Sequence, residues 1–106
     1  NNYKNAFYDP TGTIAETVYT VPSDSRAIVQ NIQITNESGT KVAKVSVTDS
    51  SASTDYQIAY ASITGPTICN VAKGPVVLEE NDVLKIETSV TAGISAVVSI
   101  LEINRD

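Results

Sequence analysis

The 106-residue sequence contains no histidine, no tryptophan, no methionine and a single cysteine, Cys69. Histidine is the commonest general base and metal ligand, so its absence excludes imidazole-dependent catalytic triads, His-containing zinc sites and His-based pH switches. A lone cysteine cannot form an internal disulfide. Because Cys69 lies in an apolar stretch without a nearby His or Arg, we interpret it as a small buried hydrophobe rather than a reactive thiol.

Charge is sparse and mostly negative. Seven Lys and Arg stand against twelve Asp and Glu, which gives a net charge of −5, and the cations form no run. A nucleic-acid binder needs a basic footprint, so this class of function is disfavoured. The sequence has no apolar run of about 18 residues, so we expect no membrane-spanning segment. It also lacks a phosphate-binding glycine loop, a CxxC pair and a G-x-S-x-G motif, and it predicts neither a cofactor nor an enzyme.

β-Branched residues dominate what is present. The chain has 13 Val, 11 Ile and 12 Thr but only 3 Leu, and 42% of its residues are hydrophobic. Such side chains are stiff at χ1 and suit a pleated surface, which predicts an all-β domain with one hydrophobic core.

Short apolar-alternating segments recur between turn signals along most of the chain. Recurrence about every 8–12 residues is typical of a sandwich or barrel. We predict a two-sheet antiparallel sandwich of about eight strands, either a jelly roll or an immunoglobulin-like variant. The predicted strands are residues 14–21, 26–35, 41–48, 55–64, 67–72, 76–79, 83–89 and 94–103.

Alternation also predicts which side chains share a face. It places Ile28 on the same side as Ile32, and it places Tyr56, Ile58 and Tyr60 together. The last strand is apolar on both faces, with Ala96, Val98 and Ile100 on one and Val97, Leu101 and Ile103 on the other. Such a strand is central in its sheet or lies under a partner.

The first 13 residues differ from this pattern, so we divide the chain into an N-terminal arm, residues 1–13, and a sandwich domain, residues 14–106. Three of the six aromatic residues, Tyr3, Phe7 and Tyr8, lie in the arm. Aromatic rings are enriched at protein interfaces, so we predict that these three dock on a neighbouring subunit. The alternative is that residues 1–8 form a strand that folds back onto their own sandwich.

Few polar groups form a recognisable site. The acidic cluster Glu79-Glu80-Asn81-Asp82 is interpreted as a solvated turn, although a polysaccharide-cleaving role for Glu79 or Asp82 is a remote alternative. Asp49 and Asp55 bracket a loop that lacks calcium-loop spacing. Asn36-Glu37-Ser38 matches the glycosylation sequon, which is short enough to arise by chance. We therefore predict no catalytic and no metal-binding residues.

Two stretches resemble small virion proteins of tailed bacteriophages. The run 18–29, VYTVPSDSRAIV, followed by IQITNESG at 32–39, resembles a "TVP-loop-R-A" entry before a strand that ends in "TN-x-SG". Residues 74–86, GPVVLEENDVLKI, are similar to a "GP-x-x-L-x-x-GD-x-L-x-V" hairpin. Asn81 stands where that pattern has Gly, and Ser23-Asp24 replace Ala-Gly.

The resemblance implies a non-enzymatic structural protein of the virion, made in the host cytoplasm. Most specifically it implies a capsid decoration (cement) protein that binds across major capsid protein subunits, often as a homotrimer. Its implied partners are copies of itself and the major capsid protein or other virion proteins, with no nucleic acid and no membrane. Arg26 and Arg105 are candidates for intersubunit ion pairs. The alternative is a neck, tail or fibre component that binds a receptor or carbohydrate, with Tyr56 and Tyr60 stacking on the ligand.

Overall fold

A computed structural model describes residues 2–104, which form nine β-strands and no helix. This confirms the predicted all-β sandwich. The strands are β1 Asn2–Tyr8, β2 Glu16–Thr20, β3 Ser25–Asn36, β4 Thr40–Asp49, β5 Thr54–Thr64, β6 Thr67–Asn70, β7 Val76–Leu78, β8 Val83–Thr88 and β9 Ile94–Asn104. No helix in this part of the chain is long and apolar enough to cross a membrane.

Strand pairing is nested, because the first strand pairs with the last, the second with the one before the last, and so on towards the middle of the chain. β1 pairs with β9, β2 with β8, β3 with β6 and β7, and β4 with β5, all antiparallel. One sheet has the order β1-β9-β3-β6, with β7 also on β3, and the other has the order β2-β8-β4-β5. β6 and β7 pair with successive parts of β3, so they are two halves of one interrupted strand. This nested order is a jelly roll, with eight strands when that pair is counted as one.

The core lies between the two sheets and consists of the β-branched residues that the composition singled out. Alternate residues of most strands point inward, and most of these inward positions are Val, Ile, Leu or Ala. The largest side chains that are fully buried are Ile32, Ile34, Leu78, Leu84, Ile86, Ile100, Val21, Val29, Val45, Val98 and Asn36.

Two β-bulges overturn face assignments that simple alternation predicted. The β3–β9 register shifts between Val29 and Asn31, so Ile28 points outward while Ile32 points into the core. The β4–β5 register shifts at Ile58. A bulge adds one residue to one strand and moves every later side chain to the opposite face. Sequence periodicity cannot locate such an insertion.

The segment predicted as an arm is paired within its own chain. β1 lies along β9 from Asn2 opposite Glu102 to Tyr8 opposite Ala96, which is the alternative in which the segment folds back. Sequence alternation did not reveal β1 as a strand, because polar side chains occupy some inward positions and aromatic side chains occupy some outward positions. Lys4 points inward, whereas Tyr3 points outward. Docking of this segment on a neighbouring subunit stays a prediction.

Candidate interaction surface

The outward-facing side chains of the five-stranded sheet form a surface that we name the five-strand face. The register places Tyr3, Leu101, Ile28 and Val77 side by side across β1, β9, β3 and β7. Further along the strands, Phe7 lies beside Val97. The remaining outward positions in register are Asn5, Ser95, Ser99, Ile103, Arg26, Asn31, Gln33, Thr35, Ile68 and Asn70.

The five-strand face exposes large apolar side chains to solvent. Tyr3 is 78% exposed, Phe7 74%, Ile68 63% and Val77 57%. Four outward residues of β9 lie between these and are half-buried, namely Val97, Ser99, Leu101 and Ile103. This agrees with the prediction that β9, apolar on both faces, is a central strand, and it leaves an apolar surface that no part of residues 2–104 covers.

The five-strand face carries fewer charged side chains than the outward face of the other sheet. Among residues 2–104, Arg26 is the only charged side chain in register on the five-strand face, and its Nε lies 3.9 Å from Oε1 of Glu79. The other sheet's outward surface, which we name the four-strand face, carries two ion pairs. Lys44 Nζ lies 3.8 Å from Glu87, and Lys85 Nζ lies 3.5 Å from Asp55. The two faces therefore differ in the partners they can accept.

Of the three N-terminal aromatics, two are exposed and one belongs to the core. Tyr8 is only 7% exposed, and its hydroxyl donates to Oε1 of Glu16 at 2.9 Å. Burial, followed by this hydrogen bond, raises the pKa of Tyr8 to about 12. Tyr8 therefore holds β1 to its own chain instead of offering a contact, while Tyr3 and Phe7 remain available.

Two carboxylates that sequence reasoning missed fix β1 and the turn after it. Oε1 of Glu16 also accepts a hydrogen bond from the backbone N–H of Thr11 at 3.1 Å, and its Oε2 accepts one from the Thr11 hydroxyl. Glu102 is 6% exposed and lies 3.3 Å from Nζ of Lys4. It also accepts a hydrogen bond from the Tyr19 hydroxyl, and burial and this bond raise the pKa of Tyr19. The inward position of Glu102 in an apolar strand was the signal available in the sequence.

Tyr56 and Tyr60 do not form one stacking platform. Because of the bulge at Ile58, Tyr56 is in register with Val47 on the core side of its sheet, and Tyr60 is in register with Lys44 on the outer side. Both rings are more than half exposed, but they lie on opposite faces of β5. The Lys44 Nζ instead lies 5.9 Å from the Tyr60 ring centroid in a cation–π contact.

The structure describes one of the two arginines proposed for intersubunit ion pairs, Arg26. Arg26 already has an acidic neighbour in its own chain, Glu79, and both side chains are about half exposed. Such an exposed pair contributes little to stability, so it leaves Arg26 free to exchange partners. Arg105 lies outside the described residues. An intersubunit role for either residue stays a prediction.

The acidic turn is a structural device. The Asp82 carboxylate accepts hydrogen bonds from the backbone N–H of Glu79 at 2.9 Å and of Ser50 at 3.0 Å, so it joins two loops. Asp49 accepts from Ser51, while Asp55 accepts from the Thr48 hydroxyl; these hydrogen bonds lower the pKa of both carboxyl groups. No cluster of three metal-ligating side chains occurs within residues 2–104.

The glycosylation sequon and the cysteine are both structural. Asn36 is fully buried, so its amide is not accessible for modification in the folded chain. The half-buried Cys69 packs against the core. Over the described residues, every buried side-chain nitrogen or oxygen has a hydrogen-bond partner, so no interior polar group is left for a ligand.

Comparisons with known proteins give low structural similarity. The chain is similar in fold to two crystal structures of a pentameric capsid protein isolated from metagenomic phage sequences. Their TM-scores are 0.46 and 0.47, both are 18% identical, and the matches cover 97% of this chain and 68% and 60% of theirs. It is also similar to the CBM22-1–GH10 modules of Clostridium thermocellum xylanase 10B in complex with xylohexaose. That TM-score is 0.46 at 15% identity, over 87% of this chain and 19% of that one.

No protein-family profile matches the chain, and no curated protein sequence matches it. At TM-scores below 0.5, the structural likenesses assign neither a family nor a function to this chain.

Proposed function

We propose that this chain is a non-enzymatic structural protein of a bacteriophage virion, most specifically a capsid decoration protein that binds across major capsid protein subunits. The observation that carries the proposal is the five-strand face. A chain with a net charge of −5 keeps one whole sheet face almost free of charge and places its most exposed aromatic rings, Tyr3 and Phe7, on it. Charge-depleted, aromatic-rich surfaces are typical of permanent contacts between subunits.

The geometry of two turns supports the resemblance to phage virion proteins. Asn81 stands where the family pattern has Gly, and Asp24 stands at the Gly of Ala-Gly. Both adopt the left-handed backbone conformation that favours glycine, with φ of 68° and 75°. At both positions the chain therefore adopts a backbone conformation that a glycine would also favour. The jelly-roll topology is also used by viral capsid and lectin domains, which is a fold-level analogy only.

A decoration protein needs rigidity and repeated weak contacts more than a deep pocket. The chain has an apolar, β-branched core, and four of its exposed large apolar side chains lie on one sheet face, namely Tyr3, Phe7, Ile68 and Val77. Repetition over a shell lattice turns modest single contacts into high avidity. The alternative of a tail or fibre component that binds a carbohydrate loses support because Tyr56 and Tyr60 lie on opposite faces of β5.

The test is binding of the purified chain to empty shells assembled from the major capsid protein of the same phage. We expect saturable co-sedimentation, regular density at lattice positions in electron-microscopy maps, and shells that resist heat better when decorated. Density confined to the neck, tail or fibres would replace the decoration role by the tail-associated alternative. Absence from the particle altogether would overturn the proposal.

A further inference from the structure

We propose that the five-strand face packs against the five-strand face of a second copy of this chain, forming an isologous pair. The inference rests on the proposed function and deepens it, because it assigns the five-strand face to contact between copies of this chain and leaves contact with the major capsid protein to the rest of the surface. Its structural basis is the apolar band that Tyr3, Leu101, Ile28 and Val77 form across four strands, flanked by Phe7 and Val97.

The area of the face matches what a stable pair requires. Four strands spaced about 4.8 Å apart, each contributing about nine residues of about 3.4 Å, cover roughly 600 Å². Standard interfaces bury about 600–1,000 Å² per partner, so the face lies at the lower end of this range. Tyr3 and Phe7, at 78% and 74% exposure, supply roughly 300 Å² of it. Monomers rarely expose contiguous apolar patches larger than a few hundred Å², and the apolar bands of this face, counted without its polar rows, are of that order.

Charge selects a second copy over a charged partner. Two chains that each carry −5 repel one another, and the repulsion is least when the surfaces that meet carry no acidic groups. On this face, within residues 2–104, the only charge in register is Arg26, which is paired with Glu79 at the margin. A basic partner would instead seek an acidic surface, which this face does not offer.

The order of apolar and polar rows allows two copies of the face to pack against each other. Between the two apolar bands, the register places a middle row of small polar side chains, Asn5, Ser99 and Asn31. Two such sheets can pack about 10 Å apart with their side chains interdigitated, in the way that the sheets of a sandwich pack. Amide and hydroxyl groups in the middle row can then hydrogen-bond across the pair, since both donors and acceptors occur there.

The experiment measures the mass of the full chain in solution over a range of concentrations by sedimentation velocity and light scattering. We expect a mass approaching twice the 11.2 kDa of one chain. Leu101→Lys, at the centre of the band, should weaken pairing by at least about tenfold. Val83→Lys is the matched control, because Val83 is also a half-buried outward residue but lies on the four-strand face.

The lysine substitutions distinguish a loss of apolar burial in the interface from an effect of net charge on pairing. Each added lysine lowers the net negative charge, so a purely electrostatic effect would strengthen pairing in both variants. Tyr3→Lys serves as a second variant that leaves the fold intact, because Tyr3 is 78% exposed at the sheet edge. Raising the salt concentration should leave pairing unchanged or strengthen it, since salt screens the repulsion between the two chains.

A chain that stays monomeric, forms a trimer, or pairs equally well as Leu101→Lys and Val83→Lys would overturn the inference. Pairing that weakens with salt would also overturn it, because that result requires ion pairs such as one through Arg26. The proposed function fails separately. A chain that pairs but never binds shells refutes the virion role alone, whereas a monomeric chain that decorates shells refutes the pair alone.

Discussion

Asn36 is the side chain whose removal we expect to destabilise this fold most through hydrogen bonding. It is fully buried at the end of β3, where its Nδ2 donates to the carbonyl oxygens of Gly39 at 2.9 Å and Ile63 at 2.8 Å. Its Oδ1 accepts a hydrogen bond from Nζ of Lys41 at 2.6 Å. One amide at the end of β3 therefore joins the β3–β4 connection to β5, which belongs to the sheet opposite β3.

The expected loss for Asn36→Ala can be worked from these bonds. The Gly39 carbonyl keeps a second donor, the backbone N–H of Gly65 at 2.8 Å, so losing that bond costs about 1 kcal/mol. The buried Ile63 carbonyl loses its side-chain donor, which costs about 1–3 kcal/mol. Lys41 is partly solvated and adds little. The sum is about 3 kcal/mol, a large share of the roughly 5–15 kcal/mol that stabilises a domain of this size.

Urea unfolding followed by circular dichroism measures this loss. With a slope of about 1.5 kcal/mol per M, the midpoint should fall by about 2 M. Gln33→Ala is the matched control, because Gln33 is an exposed amide on the same strand. A midpoint for Asn36→Ala within about 0.3 M of that control would refute the assigned role of the buried amide.

Two further predictions concern the turns. Hydrogen bonds from Thr11 and Tyr8 hold the pKa of Glu16 below its ordinary value of 4.5. The ionised carboxylate therefore stabilises the native state at pH values above 4.5, and this stabilisation is lost as the pH falls through the native pKa. Urea midpoints of the wild type and Glu16→Gln should therefore differ near neutral pH and converge in acid, and a gap independent of pH would contradict the assignment. At Asn81, where φ is 68°, we expect Asn81→Val to lower the free energy of unfolding by about 1–2 kcal/mol and Asn81→Gly to change it by less than about 0.5 kcal/mol. Equal losses of unfolding free energy for the two variants, measured by urea denaturation, would contradict a left-handed turn.

The fold class followed from composition and periodicity because the jelly roll obeys the alternation rule over most of its length. Val, Ile and Thr content predicted the sheets, and the turn signals bounded eight of the nine observed strands closely enough to be recognised. What alternation could not supply was the register beyond each bulge. Ile28 was grouped with Ile32, and Tyr56 with Tyr60, although the members of each pair lie on opposite faces. A single inserted residue inverts the pattern without leaving a compositional trace.

The candidate surface was predictable only in part, for a related reason. The apolar outer positions of β9, including Val97 and Leu101, were visible in the sequence and indicated a covered strand. The partners of those positions were not visible, since the sequence does not show that β1 lies beside β9 with Tyr3 opposite Leu101. Long-range pairing decides which exposed side chains become one continuous surface.

The inverted polarity of β1 is the strongest physical reason to regard the five-strand face as covered in the working state. A strand at the edge of a solvated sheet normally places apolar side chains inward and polar ones outward. β1 does the reverse, because Lys4 points inward to the buried Glu102 while Tyr3 and Phe7 point outward. The inward ion pair fixes the register of a strand that contributes little to the core beyond Tyr8. The two aromatic rings on the outside of that strand stabilise a structure only when another surface buries them and removes them from water.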